Sequence, residues 1–439
     1  MGIFDSLFGG GESGIKQGDE PELIFGRYSD SYKAPEQYKA WDEAVRLFEE
    51  KKYLEAYKEF FFYLKDRYEE NVKYAVSNGK IRFEIYQGSK VVYGEATNEH
   101  VVATANVVKC DELKVAFMRK LMEINFQLKY GRYGLTDDNN IAIKFDTSTI
   151  DGHPNKLYYA LKEISTAADK QDDLLEEEFS QLHSIDNFHV QDASEKVKEV
   201  RLKYLRKWIN DAMEKVNSLD QDKFSGGIAY LLLNSLYKID YLINPEGKTV
   251  MSLERGHRMF FAKDNRTTLE KNKDLKKFVN EIQQRDDDAI KKEIYRVVST
   301  FGVVRGVPHD AIKGLCNEVL ENMVWYKENN RTQMAIEVME YAAGYAFFNY
   351  GMPQPDREYF HILFHVLNSD FFDELGYAKL YDESTKKLDK RNIKSRINSV
   401  QNRYAKRFPK ASLNDSSLNF NDLLSFTESY IKAIADLTY

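Results

Sequence analysis

From Glu36 onward the apolar residues recur at helical spacing. Trp41, Ala44, Val45 and Phe48 share one face, and Ala56, Phe60 and Leu64 share the face of a second helix. Pro35 stands where the first of these helices can begin. At Asn78-Gly79, a turn signal, the period changes. Ile81, Phe83 and Ile85 then alternate with Arg82, Glu84 and Tyr86, the period of a half-buried strand. Turns at Gln87-Gly88-Ser89 and Asn98-Glu99 connect this strand to others over 90–97 and 101–108, giving three antiparallel strands. Asp111 is placed to cap a helix whose stripe is Leu113, Ala116, Phe117, Leu121, Ile124 and Leu128. Residues 130–135 and 141–145 read as a strand hairpin turning at 137–140. His153-Pro154 opens a long helix with Leu157, Leu161, Ile164 and Ala168 inward, which runs through the acidic tract 172–178.

Beyond about residue 190 the alternation of strands is absent. A long helix is expected over 193–216, with Val197, Val200, Tyr204, Trp208 and Met213 among its apolar positions. The most hydrophobic stretch, 226–243, reads as a central helix ended by Pro245-Glu246-Gly247. Further helices are expected near 248–261, 267–283, 286–301, 308–328, 331–350, 355–374, 385–407 and 418–437, punctuated by glycines and prolines. The expected organisation is a flexible leader over 1–34, an α+β domain over 35–187 and an all-α domain over 188–439. The α+β domain would combine a helical hairpin with an antiparallel five-stranded sheet backed by helices.

Several stretches of the first domain carry a resemblance. They are Lys80-Ile-Arg-Phe-Glu-Ile, Phe117-Met-Arg-Lys-Leu-Met-Glu-Ile-Asn-Phe, Lys129-Tyr-Gly-Arg-Tyr-Gly-Leu, Ile141-Ala-Ile-Lys-Phe-Asp and Asp172-Asp-Leu-Leu-Glu-Glu-Glu-Phe. Their order and texture resemble the type III secretion chaperone-like fold, nearest its YbjN-type branch, over about residues 65–182. The hairpin before them is similar to a single tetratricopeptide unit. The resemblance implies a non-catalytic, regulatory or chaperone-like protein that binds another protein or a peptide segment, often as a homodimer. It carries over no catalytic residue, and the helical half lies outside it.

Composition narrows the field. The 439 residues carry a formal net charge of −7, which argues against nucleic acid as a general partner. The 2 cysteines, Cys110 and Cys316, are too few and too far apart for a disulfide framework or a cysteine zinc site, so a reducing, cytoplasmic setting is expected. No apolar run reaches the roughly 18 residues of a transmembrane span. Met1-Gly2-Ile3-Phe4-Asp5-Ser6 fits a myristoylation pattern, and Ile3, Phe4, Leu7 and Phe8 could make one apolar turn, although a frayed glycine-rich start is the plainer expectation.

Candidate chemistry is sparse. No nucleophile elbow, Walker loop or dinucleotide fingerprint occurs, and no cofactor is expected. Glu358, His361 and His365 share one helix face and could ligate a metal, which leaves a metal-dependent enzyme in the helical domain as one alternative. Residues 386–410 hold 10 Lys or Arg against the single acid Asp389. Lys390, Lys394, Arg403 and Arg407 could there meet phosphate or an acidic partner, a second alternative. The ordinary reading is a solvated face that balances the acidic tract 172–178. The partner-binding aromatics expected on the first domain are Phe61, Phe62, Tyr86 and Tyr93.

Overall fold

The computed structural model describes residues 20–439 apart from Tyr68 and Leu113, and of Glu177 the main chain alone. The myristoylation pattern, the apolar turn at Ile3–Phe8 and the stripe position Leu113 lie outside the described residues. Two helices, α1 (Pro35–Glu49) and α2 (Tyr53–Leu64), pack as an antiparallel pair in front of a sheet. Its strands are β1 (Val72–Ser77), β2 (Lys80–Gln87), β3 (Lys90–Ala96), β4 (His100–Cys110), β5 (Arg132–Leu135), β6 (Asn140–Ser148) and β7 (Leu182–Ser184). The spatial order is β1-β2-β3-β4-β6-β5, with β7 beside the end of β4, and the described pairings are antiparallel.

The sheet therefore has seven strands, two more than the expected five. Asn78 and Gly79, both at positive φ, form the loop of a β1–β2 hairpin in which Ser77 faces Lys80. β1 escaped the pattern because it is an edge strand with only Val72 fully buried. β7 is three residues long, too short to show a period. The helix α3 (Val115–Asn125) begins after Lys114, so Asp111 does not cap it and instead accepts from His183 at 2.7 Å. The long helix α4 (Pro154–Glu178) crosses the inner face, burying Leu157, Leu161, Ile164, Ala168 and Leu175 against the sheet.

The second half is mostly helical. It comprises α5 (Glu195–Ser218), α6 (Ser225–Lys238), α7 (Gly247–Phe260), α8 (Thr268–Gln283), α9 (Asp287–Lys292), α10 (His309–Glu328), α11 (Thr332–Asn349), α12 (Gln354–Leu367), α13 (Ser369–Leu375), α14 (Lys390–Tyr404) and α15 (Leu423–Ala435). α6 continues into a π turn, Ile239–Ile243, and shares the centre with α11, which is buried on nearly every face. Three pairs of two-residue strands tie its loops, a feature the pattern did not foretell. No described helix is long and apolar enough to cross a membrane.

Two extended segments join the halves. The first is residues 20–34, expected as a flexible leader. Phe25 enters the helical core among Tyr241, His361 and Phe372. Arg27 forks onto the Asp240 carboxylate at 2.6 Å and reaches Glu254 at 2.9 Å. Asp30 then accepts from Tyr158 of α4 at 2.9 Å, on the other side. The second joining segment corrects the helix expected over 286–301. That helix stops at Lys292 and the chain goes extended, pairing β9 (Tyr295–Arg296) with β8 (Gln191–Asp192). It ends with Phe301 inside the sheet domain's core, 5.5 Å edge-on from Tyr158. Gln87 Oε1 accepts the amides of Thr300 (3.2 Å) and Phe301 (2.9 Å), and Thr300 Oγ1 donates to Asn71 O and Tyr86 O.

Candidate functional site

The residues singled out from sequence are scattered. Phe61, expected to meet a partner, is fully buried and packs 4.5 Å from the Phe83 ring. Its neighbour Phe62 turns outward and is 42% exposed. Tyr86 is buried between Lys73 and Glu84, donating to Glu84 at 2.8 Å, and Tyr93 is half-buried. His361 and His365 do share a face of α12 with Glu358, yet each is engaged elsewhere. His361 Nδ1 pairs with Tyr241 Oη (2.9 Å) and His365 Nε2 with Ala378 O (2.8 Å), while Glu358 faces Arg403 at 3.4 Å. Burial pushes His361 down to about 3 and His365 well below the usual imidazole range, so both are neutral. Among the described residues no group of three His, Cys, Asp or Glu side chains is arranged to hold a metal ion.

On α14 and in the turn after it the basic side chains are largely spoken for. Lys394 pairs with Asp415 at 3.1 Å, and Arg407 donates to Lys33 O at 2.5 Å. Arg396 pairs with Glu20 of the joining segment, so this helix serves to fasten that segment down. Lys390 is exposed and lies over the Phe420 ring at 5.3 Å.

The feature that gathers chemistry is a cleft between the halves. It measures about 990 Å³ and is walled by α4, the start of α7, the joining segments and the turn at Gly88. Its volume lies at the upper end of the usual range for ligand sites, roughly 300–1,000 Å³. α4 supplies Asp169 and Asp173, and the loop before α7 supplies Glu246. Gly88, at positive φ, has no side chain for a reason: a Cβ there would stand 1.8 Å from the Asp169 carboxylate. That approach lets Asp169 accept the Ser89 amide at 2.7 Å. Below it Lys90 and Asp172, both fully buried, pair at 2.9 Å.

The Asp173 and Glu246 carboxyl groups have no hydrogen-bond or ion-pair partner among the described residues, although the Glu246 amide donates to Glu293 O at 2.8 Å. A Cβ on Gly247 would lie 3.1 Å from both Asp173 Oδ2 and Glu293 Oε1, and Glu246 is the residue before it. Three acids therefore gather at the start of α7, of which Glu293 is paired with Arg285 at 2.7 Å. Burial, with Asp172 alongside, pushes Asp169 up to about 7 and Asp173 up to about 8. Burial, with Asp169 and Asp173 nearby, also raises Glu246 well above the carboxylate range. This is an acidic corner that holds protons near neutral pH.

Two further lining residues are basic, and neither acts on the acidic corner. Arg201 of α5 is 4% exposed and lines the cleft. Its Nη2 donates to Ile24 O at 3.0 Å, while its Nε has no partner. Arg357 of α12 donates to Phe25 O at 2.8 Å. Neither guanidinium pairs with a carboxylate among the described residues, and burial pulls Arg201 down to about 10. Arg27, which also lines the cleft, is already neutralised by Asp240 and Glu254.

A third element is main chain. Gly88 N donates to Val298 O at 3.1 Å, so residues 297–299 run like a strand beside the turn. In such a chain neighbouring residues turn their amides to the other edge. Val297 and Ser299, which line the cleft, make no main-chain hydrogen bond to a described residue.

Sequence reading missed this site, although one signal was visible. Asp172 falls on the apolar stripe of Leu161, Ile164, Ala168 and Leu175, where a solvated acid does not belong. Asp169 lies one turn before it and Asp173 directly after it. Also unforeseen is the outer face of α3, where Val115, Met118, Met122 and Phe126 follow helical spacing and Phe126 is 93% exposed. Compared with known proteins, the chain matches no family model and no curated protein.

Proposed function

We propose that this is a non-catalytic binding protein that takes an extended segment of a partner protein into the cleft between its halves. The observation that carries this reading is the open strand edge at Val297 and Ser299, facing a cleft of about 990 Å³. A peptide laid along that edge gains main-chain hydrogen bonds, and its alternate side chains enter the cleft walls. The edge is pinned from its far side by Gly88 on Val298, and the chain bends away beyond it where Gln87 takes the amides of Thr300 and Phe301. It therefore loses little conformational freedom on binding. The likeness of residues 65–182 to secretion-chaperone-like proteins, which hold extended protein segments, points to the same class of function.

The test uses peptides selected by display against the full chain. Ser299→Pro removes the edge amide, while Ser299→Ala removes only the hydroxyl. The reading predicts that the proline variant, folded as judged by circular dichroism, loses the selected peptides and that the alanine variant keeps them. Equal binding by both variants would end it.

A further inference from the structure

The cleft separates unpaired acidic side chains from unpaired basic ones. At one corner Asp173 and Glu246 lack any cation partner, and Asp169 is satisfied only by the Ser89 amide and hydroxyl. At the other, Arg201 and Arg357 lack any carboxylate partner and are held by the main-chain carbonyls of Ile24 and Phe25. Such groups are costly to enclose. A buried ion is normally paired, and an unpaired one is strongly destabilising unless it changes its protonation. The carboxyl groups escape the cost by holding protons, as their raised affinities record. A guanidinium has no such escape at physiological pH. Arg201 is nine-tenths buried, lines the cleft and keeps its Nε without a partner. An unsatisfied buried cation in a ligand-sized cleft is an unfilled half of a pair.

Resting on the strand-addition reading, we propose that the bound segment carries a charge of each sign: a lysine or arginine that enters the Asp169–Asp173–Glu246 corner, and an acidic side chain or terminal carboxylate that meets Arg201 and Arg357. A lone metal ion fits poorly, because the described acids do not form a metal-ligating group. A simple anion satisfies only the arginine corner. A basic segment satisfies only the acidic one. A segment with both charges satisfies both corners at once and leaves Arg27 in its existing pairs with Asp240 and Glu254. Its arrival also moves protons. A lysine ammonium beside Asp173 favours the ionised carboxylate, so binding near pH 7 releases a proton to solvent.

The experiment measures fluorescence anisotropy of the full chain with end-blocked nine-residue peptides built on threonine and valine. One set carries one lysine and one aspartate at separations of two to six residues. Others carry two lysines, two aspartates or no charge. The proposal predicts that the best mixed peptide binds at least about tenfold tighter than every like-charged or neutral one. It also predicts that Asp173→Asn with Glu246→Gln erases the advantage of the lysine, and that Arg201→Met erases that of the aspartate. The carboxamide variants relieve like-charge repulsion and should fold, so the acidic arm stands even if Arg201→Met does not. Equal binding of neutral and mixed peptides would overturn the charge assignment and leave strand addition intact. Binding of none of the sets would overturn both.

Discussion

Lys90 Nζ lies 2.9 Å from an Asp172 carboxylate oxygen, and neither side chain is reached by solvent. Lys90 also donates to Ser184 Oγ and Ile185 O, so it fastens α4, β3 and the chain after β7 at one point beneath the cleft floor. Replacing one member of a buried pair leaves the other charge stranded, at a cost of about 3–5 kcal/mol. Lys90→Met should lower the denaturation midpoint accordingly. Lys90→Met combined with Asp172→Leu should cost much less, because no charge remains unpaired. Urea titrations of the two variants check this, and an equal loss in both would show that the pair is not what the site depends on.

The acidic corner gives the protein a signed pH dependence. Asp169 and Asp173 bind protons more tightly folded than unfolded, with folded values of about 7 and 8 against an unfolded value near 4. Their contribution to stability is therefore fully present below about pH 4 and is lost as pH rises through about 7 to 8. The buried His361 and His365 act in the opposite sense, since their lowered affinities weaken the fold as pH falls through about 6.5. Asp173→Asn isolates the first effect. The variant should gain stability over the parent at pH 8.5 and show little difference near pH 4, as read from unfolding free energies at the two pH values. A constant difference would mean that Asp173 is ionised throughout.

Phe301 couples the halves. Its ring is buried in the sheet domain's core while its chain belongs to the segment leaving α9. Phe301→Ala should cost about 3–5 kcal/mol, the range for emptying a buried aromatic site. It should also speed amide exchange over residues 294–303 and at the end of β2 more than in α11. Uniform loss of protection across the chain would place Phe301 in an ordinary core role.

How much of this was legible follows from where the information lies. α4, α7 and α8 repeat their apolar stripes over several turns, and the β2–β3 and β5–β6 hairpins carry alternation and turn residues, so local pattern sufficed. The segment after α9 defeated it. Ile290, Ile294, Val297, Val298 and Phe301 fit a helical stripe as well as an extended chain. The choice is made by Gln87 and by the pocket for Phe301, both in the other half of the fold. The joining segment at 20–34 failed for a similar reason. Its composition is that of a loop, yet Phe25 and Arg27 each find a long-range partner. The cleft was invisible as a site because its charges come from α4, α5, α12 and the loop before α7. Only the misplaced acid Asp172 hinted at it.

The central claim, that a partner segment extends the strand edge at Val297 and Ser299, is tested most directly by hydrogen exchange of the full chain. Amide exchange at these two residues is measured with and without a display-selected peptide. Selective slowing at Val297 and Ser299, with α3 and α14 unchanged, is the predicted result. Slowing elsewhere while these two amides exchange as before would contradict it.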